Sequence, residues 1–289
     1  MRTAVIAHRP NETNRLLADA QWGRERASLL TPVEADLLLR PGDAALARLD
    51  VLESLDGVEP GLLELECLVA RGIRVLNGAR SLLIAHDKLL TAQALVAAGL
   101  PHPATEGISR ASTRISIEPP LVLKPRYGSW GEDVVLCPTR RAVEAALAVF
   151  GERRWFGAGA VAQELVPPRG HDLRLVVAAG RVVGATRRVA AHGEWRTNVA
   201  LGASSVETSP PPVALNLALA AAAASGLDLL GVDLLPTGPG GFCVIELNAA
   251  VDFGAHYSFP GRNVFADAMA ALAGARAGEV VETAALAQT

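Results

Sequence analysis

Two apolar runs near the C-terminal end, residues 229–235 and 242–247, are separated by Pro236-Thr-Gly-Pro-Gly-Gly241. Runs of this length around a Gly/Pro turn predict an antiparallel hairpin, and that pairing is the strongest constraint in the chain. Each run also carries oxygen-bearing side chains: Gly231-Val-Asp233 on the first, Glu246-Leu-Asn248 on the second. Residues two apart on a strand share a face, so Glu246 and Asn248 point the same way. Hairpin pairing brings Asp233 beside them. Val232, Leu234, Ile245 and Leu247 are then expected in the core. Two acids on one sheet face repel unless a cation sits between them. Three oxygen donors suit Mg²⁺, which keeps waters and takes phosphate oxygens. The plain alternative is a solvated strand face.

The rest of the chain alternates. Residues 2–8 read as a strand and 11–23 as a helix with Leu16, Leu17 and Ala20 on one face. Residues 49–52 read as a short strand, 61–71 as a helix closed by Gly72, and 73–76 as a strand. This pattern predicts a small α/β unit with a parallel sheet. One helix is expected over 81–99, stopped by Gly99, Pro101 and Pro103, before a turn-rich boundary at 101–120. Strand signals then crowd together at 121–124, 134–136, 161–166, 173–178 and 181–186, with a helix at 140–149. Ala179-Gly180 is a two-residue hairpin turn. Residues 213–226 and 263–275 read as helices, and the tail from 276 as frayed.

At 289 residues, half of them hydrophobic, the chain can bury a core and build about two domains. A net charge of −3 argues against general nucleic-acid or anionic-membrane binding. Basic residues gather in 121–200 and acidic ones dominate after 201, which suits an anionic ligand held with a metal ion. Three cysteines (Cys67, Cys137, Cys243) without CxxC spacing read as reduced thiols of a cytoplasmic protein. The apolar start is too short for a signal segment or a membrane span, and the Ala-rich run 215–225 reads as a buried helix. Of 27 basic residues only Lys88 and Lys124 are lysine.

No GxxxxGK[ST], GxGxxG, HExxH or GxSxG motif is present, which lowers the weight of Walker-type NTPases, dinucleotide dehydrogenases and α/β-hydrolases. Instead a strand delivers Lys124, followed by Gly128-Ser129-Trp130-Gly131. Glycines there let backbone N–H groups approach phosphate oxygens, and lysine adds a cationic contact. By itself the segment is equally an ordinary glycine hairpin. Gln163-Glu164 ends an apolar run and is stopped by Pro167-Pro168, as in a hinge whose backbone reads a base edge. Arg174, Arg187, Arg188 and Arg196 form a basic set, open to either inward-facing or surface positions.

Together and in this order, these segments resemble the ATP-grasp superfamily, specifically the RimK-type carboxylate–amine ligases. The resemblance runs from Leu76 to about Ala271 and is weaker before. It is carried by His86-Asp-Lys88, Lys124-Pro, Gly128-Ser-Trp-Gly131, Gln163-Glu164, Asp172-Leu-Arg174, Glu194-Trp-Arg-Thr-Asn198, Gly231-Val-Asp233 and Glu246-Leu-Asn248. Gly-Ser-Trp-Gly and the run to Gly202 look most like the LysX branch, which adds an amino acid to the C-terminal glutamate of a carrier protein.

The resemblance implies an α/β (α+β) ATP-grasp fold. A parallel α/β domain over 1–85 precedes a lid subdomain over 86–165 and a metal-bearing subdomain over 166–289, the last two clamping the nucleotide. It implies ATP held by Lys88, Lys124, the Gly128–Gly131 loop, Gln163, Glu164, Leu165, Asp172, Arg196 and Asn198. Mg²⁺, or Mn²⁺, would sit on Asp233, Glu246 and Asn248. Arg187, with Arg174, would hold an acyl phosphate or substrate carboxylate. The implied reaction joins an amino acid to a carboxylate of a small acid, peptide or acidic carrier protein, in a homo-oligomer. The stretch after Asn248 (Ala-Ala-Val-Asp252-Phe-Gly-Ala-His256) departs from the family. So does Glu132-Asp133 after the glycine loop, a pair expected to point away from triphosphate or to meet a cationic substrate group. His256 is read as a pocket wall or a base. The rival readings are a non-catalytic ATP-binding regulatory module, which would not need an acyl-phosphate site, and an oxidoreductase, which lacks its glycine fingerprint.

Overall fold

Residues 3–76 build a four-stranded parallel sheet in the computed structural model, which describes residues 1–23 and 25–274. In chain order the elements are β1 (Thr3–Ile6), α1 (Glu12–Asp19), a short ladder of β2 (Gln21–Trp22) and β3 (Glu25–Arg26), β4 (Ser28–Leu30), α2 (Pro32–Leu38), β5 (Ala44–Ala47), α3 (Leu62–Ala70) and β6 (Arg74–Leu76). The strand order is β4-β1-β5-β6. Every residue of β1 and β5 is buried, as a parallel sheet covered on both faces requires.

Two expectations shift here, and one helix was not foreseen. The strand expected at 49–52 lies at β5, an Ala-rich run of weak strand propensity that pairs because β1 and β6 flank it. The first helix stops at Asp19, since Ala20 turns extended to enter β2, and it buries Thr13, Asn14, Leu17 and Ala18. Helix α2 starts on a capping box in which Thr31 and Glu34 bond reciprocally, a signature readable as Thr-Pro-Val-Glu.

The helix expected over 81–99 is two helices, α4 (Ala79–His86) and α5 (Lys88–Ala97). Asp87 breaks it, because its carboxylate caps α5 by accepting from the Leu89 and Leu90 N–H groups. The same carboxylate takes Arg126 Nε at 2.7 Å, which ties the start of α5 to the following sheet.

That second sheet comprises β7 (Thr105–Ile108), β8 (Leu121–Pro125), β9 (Val135–Cys137) and β10 (Ala160–Glu164), antiparallel in the order β7-β10-β8-β9. β7 falls inside the stretch read as turns. Helix α6 (Arg140–Gly151) covers the sheet around Phe150, Trp155 and Phe156.

A third sheet, β13-β12-β11-β14-β15, is antiparallel. Its strands are β11 (His171–Ala178), β12 (Arg181–Val189), β13 (Ser204–Glu207), β14 (Leu229–Gly238) and β15 (Gly241–Asn248). Ala179 and Gly180 make the β11–β12 turn, both at positive φ. Helices α7 (Pro212–Ser225) and α8 (Val264–Gly274) complete the unit. Leu173, Leu175 and Val177 face α7, while Val176 and Ala178 face α8. Asp172 and Arg174 share the face of Val176 and Ala178. At that end of the sheet buried polar residues collect, Asp172, Arg188 and Asp233. The tail from 276, expected to fray, lies outside the described residues, as does the last residue of the helix expected at 263–275. Among the described residues no helix is long and apolar enough to cross a membrane.

Candidate active site

Hairpin register builds the floor of the site. Asp233 lies opposite both Glu246 and Arg174, and Asn248 lies opposite Gly231. A side chain at Gly231 would meet Val251 Cγ2 at 2.6 Å, so only glycine lets the turn after β15 cross here. Ile245 is an extra residue between the pairs Leu234–Val244 and Asp233–Glu246, a β-bulge. The bulge sends Val244 and Leu247 to the α7 core together. Ile245, expected in the core, lines the cleft instead, beside Leu235.

Asp233 is buried, yet its carboxyl stays ionised. Burial opposes its charge, but the guanidinium groups of Arg174 and Arg188 overcome that and hold it down to about 2. Arg174 donates twice, Nε to Oδ1 at 2.7 Å and a terminal nitrogen to Oδ2 at 2.6 Å. Arg188 donates to Asp233 Oδ2 at 2.8 Å and bridges to Asp172, which also accepts from Thr197. Two carboxylates thus balance two guanidinium groups out of water.

Above this floor lies a cleft of about 140 Å³. It is lined by Lys88, Lys124, Gly128, Ser129, Trp130, Gly131, Gln163, Glu164, Leu165, Asp172, Arg196 and Asn198, with Asp233 and Glu246. Lys88 Nζ donates to Gly128 O at 2.6 Å and lies 3.1 Å from Glu246 Oε1. Lys124 Nζ donates to Gln163 Oε1 at 2.8 Å. Burial and the nearby Lys88 charge push its ammonium down to about 8. Gln163 was read as part of a hinge; its side chain supports Lys124 and also donates to Thr105 Oγ1 at 2.8 Å. Arg196 donates to Gly131 O at 3.0 Å, clipping the glycine loop shut, while Glu194 holds its guanidinium. Trp130, Gly131 and Asp133 all have positive φ. Asp133 turns away from the loop to accept from Trp155 Nε1 at 2.8 Å.

A larger cleft of about 930 Å³ opens beside the first. The two share Gly128, Ser129, Trp130, Arg188, Asn198 and Glu246. Arg174 and Asn248 line it, and loops from the first sheet form its far wall. His256 lines it too, its ring 4.7 Å from that of Tyr257.

One assignment is corrected. Arg187 is exposed and lines neither cleft, while its neighbour Arg188 is buried and lines both. Alternation along β12 puts adjacent residues on opposite faces, so an error of one residue exchanges surface for site. The missed signal was pairing, since Arg188 sits opposite Asp172 on β11. Trp195, Thr197 and His86, quoted only as parts of longer motifs, line the clefts as well, and Asp50, which the sequence reading did not single out, lines the larger one.

The oxygen donors Asp233, Glu246 and Asn248 fit a hard divalent cation. Asn248 Nδ2 is buried without a partner, so turning the amide to present its oxygen costs no hydrogen bond. Among the described residues, no cluster of three or more His, Cys, Asp or Glu forms a metal site by itself.

Residues 85–270 match the family model described as a RimK-like ATP-grasp domain. A protein of Parasynechococcus marenigrum (strain WH8102) named "Probable alpha-L-glutamate ligase" is 31% identical over 269 residues, covering 86% of this chain. The chain spans 57% of that relative's length. A crystal structure of an ATP-grasp RimK domain protein from Sphaerobacter thermophilus DSM 20745 is 26% identical, with TM-score 0.65 over 94% of this chain and 98% of that one. The solved structure of the ATP-grasp ligase PsnB with minimal precursor, Mg and ADP shares the fold. It is 18% identical, with TM-score 0.61 over 93% of this chain and 96% of that one.

Proposed function

This chain belongs to the RimK-like ATP-grasp family, a family of C–N bond-forming ligases, and from that premise we propose that it joins a carboxylate to an amine at the expense of ATP. The observation that carries the reading is the convergence of the two lysines on one cleft from separate elements, α5 and β8, in a chain that otherwise uses arginine. A lysine is a compact charge suited to phosphate oxygens. Lys88, Lys124 and the N–H groups of residues 128–131 hold the triphosphate. Ile245, Leu235 and Leu165 offer apolar contact to the base.

A substrate carboxylate oxygen attacks the γ-phosphorus, the bond to the β-bridging oxygen breaks, and ADP leaves. The amine nitrogen then attacks the acyl carbon; phosphate departs and the amine gives up a proton. The protein contributes position and charge neutralisation rather than a nucleophile. Arg188 takes the role the resemblance placed on Arg187, and with Arg174 it faces the acyl phosphate from the boundary of the two clefts. Asp233, Glu246 and Asn248 would hold Mg²⁺. When bound, that ion neutralises charge on the phosphate oxygens.

The family's amine is proposed to be an amino acid, and the carboxylate that of a small acid, peptide or acidic carrier protein. The basic character of residues 121–200 supports an acidic carboxylate partner. The test is ADP release with ATP and Mg²⁺ across paired panels of amines and carboxylates, with products weighed by mass spectrometry. A product lighter by one water than its two parts is expected. Tight ATP binding without turnover for any pair would favour a non-catalytic ATP-binding module.

A further inference from the structure

Lys124 is held by a chain of side chains that begins outside both clefts. Its ammonium is buried and donates to Gln163 Oε1 at 2.8 Å. Gln163 Nε2 in turn donates to Thr105 Oγ1 at 2.8 Å and lies 3.2 Å from His102 Nε2. Neither His102 nor Thr105 lines either cleft. Hydrogen counting fixes the direction of these bonds. His102 Nδ1 is 2.8 Å from Val244 O, and a carbonyl only accepts, so Nδ1 carries the hydrogen. Burial pushes the ring down to about 4, so it is neutral at ordinary pH and Nε2 presents a lone pair. Thr105 Oγ1 lies 2.9 Å from Pro103 O and 3.2 Å from His102 Nε2, so its one hydrogen goes to an acceptor and its lone pairs face Gln163.

Two acceptors therefore face the Gln163 amide nitrogen, and its oxygen is left for Lys124. Reversing the amide would set its N–H groups against the ammonium and its oxygen against the His102 lone pair. The far end of the chain is anchored on another sheet. β15 is the edge strand of the third sheet, and Val244 turns both backbone groups to that edge. Its N–H donates to Pro101 O at 2.9 Å, and its carbonyl takes His102. Val244 stands two residues before Glu246. His102 thus joins the strand of Glu246 to the side chain that supports Lys124 on β8.

We propose that His102 is a positioning residue for Lys124: seated on Val244 of β15, it fixes the Gln163 amide, and the amide oxygen aims the ammonium into the smaller cleft. Lys124 on the second sheet is thereby set in register with Glu246 on the third. The remaining N–H groups of the ammonium are left for a phosphate oxygen. This deepens the reading of the cleft as a nucleotide site and rests on it for the effect on binding.

Because Lys88 and Lys124 are the only lysines, protein labelled with ¹³C at lysine Cε gives one signal for each, assigned with Lys124→Arg. In His102→Leu the Lys124 signal is expected to move and the Lys88 signal to stay. His102→Gln, whose Oε1 reaches the place of the ring Nε2, should restore the parent position. His102→Asn, which reaches only the place of Nδ1, should not. In calorimetric titration ADP should bind His102→Leu about tenfold more weakly, the loss of one charge-assisted contact, while adenosine binds as before. In a Gln163→Leu background the same change should cost nothing further. A Lys124 signal unmoved in both His102→Leu and His102→Asn, equal losses for ADP and adenosine, or an additive loss in the Gln163→Leu background overturns the assignment. If the signal moves but Lys124→Ala binds ADP as the parent does, the phosphate role of Lys124 falls and the positioning by His102 stands.

Discussion

The two walls of the smaller cleft are built on opposite plans. The sheet wall presents Asp172, Arg188 and Asp233, joined with Arg174 of the larger cleft in a set of ion pairs between strands paired on both sides. The loop wall, residues 128–134, presents backbone groups and is held by side-chain clips, Lys88 on Gly128 O, Arg196 on Gly131 O and Val134 O, and Trp155 on Asp133. The sheet wall is rigid because its buried charges hold one another in a network, Asp233 pairing with both arginines and Arg188 with both aspartates. The loop wall is adjustable because glycines and a few bonds to side chains are all that shape it. On the proposed ligase reading both have a use: fixed charges where a phosphoryl group would react, and a loop that would admit the nucleotide.

The sharpest way to break this contrast is to delete one charge from each wall. Asp233→Ala leaves Arg174 without its paired carboxylate and Arg188 with Asp172 alone. It should cost about 3–5 kcal/mol in urea unfolding. Trp130→Ala, half-exposed on the loop, should cost about 0.5 kcal/mol or less. Comparable losses would sink the comparison.

Next in size are Glu246→Ala and Lys124→Ala. Each should lower ADP release by about two orders of magnitude or more, in keeping with lost charge stabilisation at a reacting phosphate. Only Lys124→Ala should also abolish tight nucleotide binding in a fluorescence titration; near-normal affinity there would refute the phosphate role of Lys124.

The adjacent arginines of β12 give a finer test. Arg188→Ala should abolish turnover and destabilise the fold, while Arg187→Ala should leave unfolding within about 0.5 kcal/mol of the parent. A turnover loss in Arg187→Ala with Arg188→Ala active would restore the assignment made from sequence.

The pH dependence is subtler. Lys124 sits at about 8 in the folded protein against an ordinary 10.5. The ammonium that attracts phosphate is present below that value, so nucleotide affinity should fall as pH rises through 8. Bound phosphate should move the midpoint upward. His102, pushed down to about 4 by burial, works in the other direction. Its unfolded ring takes a proton near 6.5 and its folded ring does not. Stability should therefore be full above 6.5 and decline as pH falls toward 4. Unfolding midpoints at pH 7 and pH 5 read the second effect, and equal midpoints would remove His102 from the account.

Much of the floor was legible because strand chemistry is local. Period-two spacing puts Glu246 and Asn248 on one face, and a short Gly/Pro turn obliges Asp233 to return beside them. Lys124 and the glycine loop were legible for the same reason, as a run of contiguous residues, whereas Lys88 was reached only through the family resemblance. What escaped depends on pairing across distance. Arg188 replaces Arg187 because Asp172 fixes the register of β12, a fact no window of β12 contains. Ile245 leaves the core because a bulge lets Val244 and Leu247 share one helix. Helix α4 ends at His86 because Asp87 has a second partner, Arg126, from another sheet.

By itself, then, the sequence determined which residue types could meet phosphate and metal, since hydrophobic period, turn chemistry and scarcity of lysine are properties of short segments. Only the tertiary structure decided which of two neighbouring arginines faces inward, and which loops of the first sheet stand against the third. Those choices turn on charges that become strong only after water has been removed, and burial is a property of the whole fold.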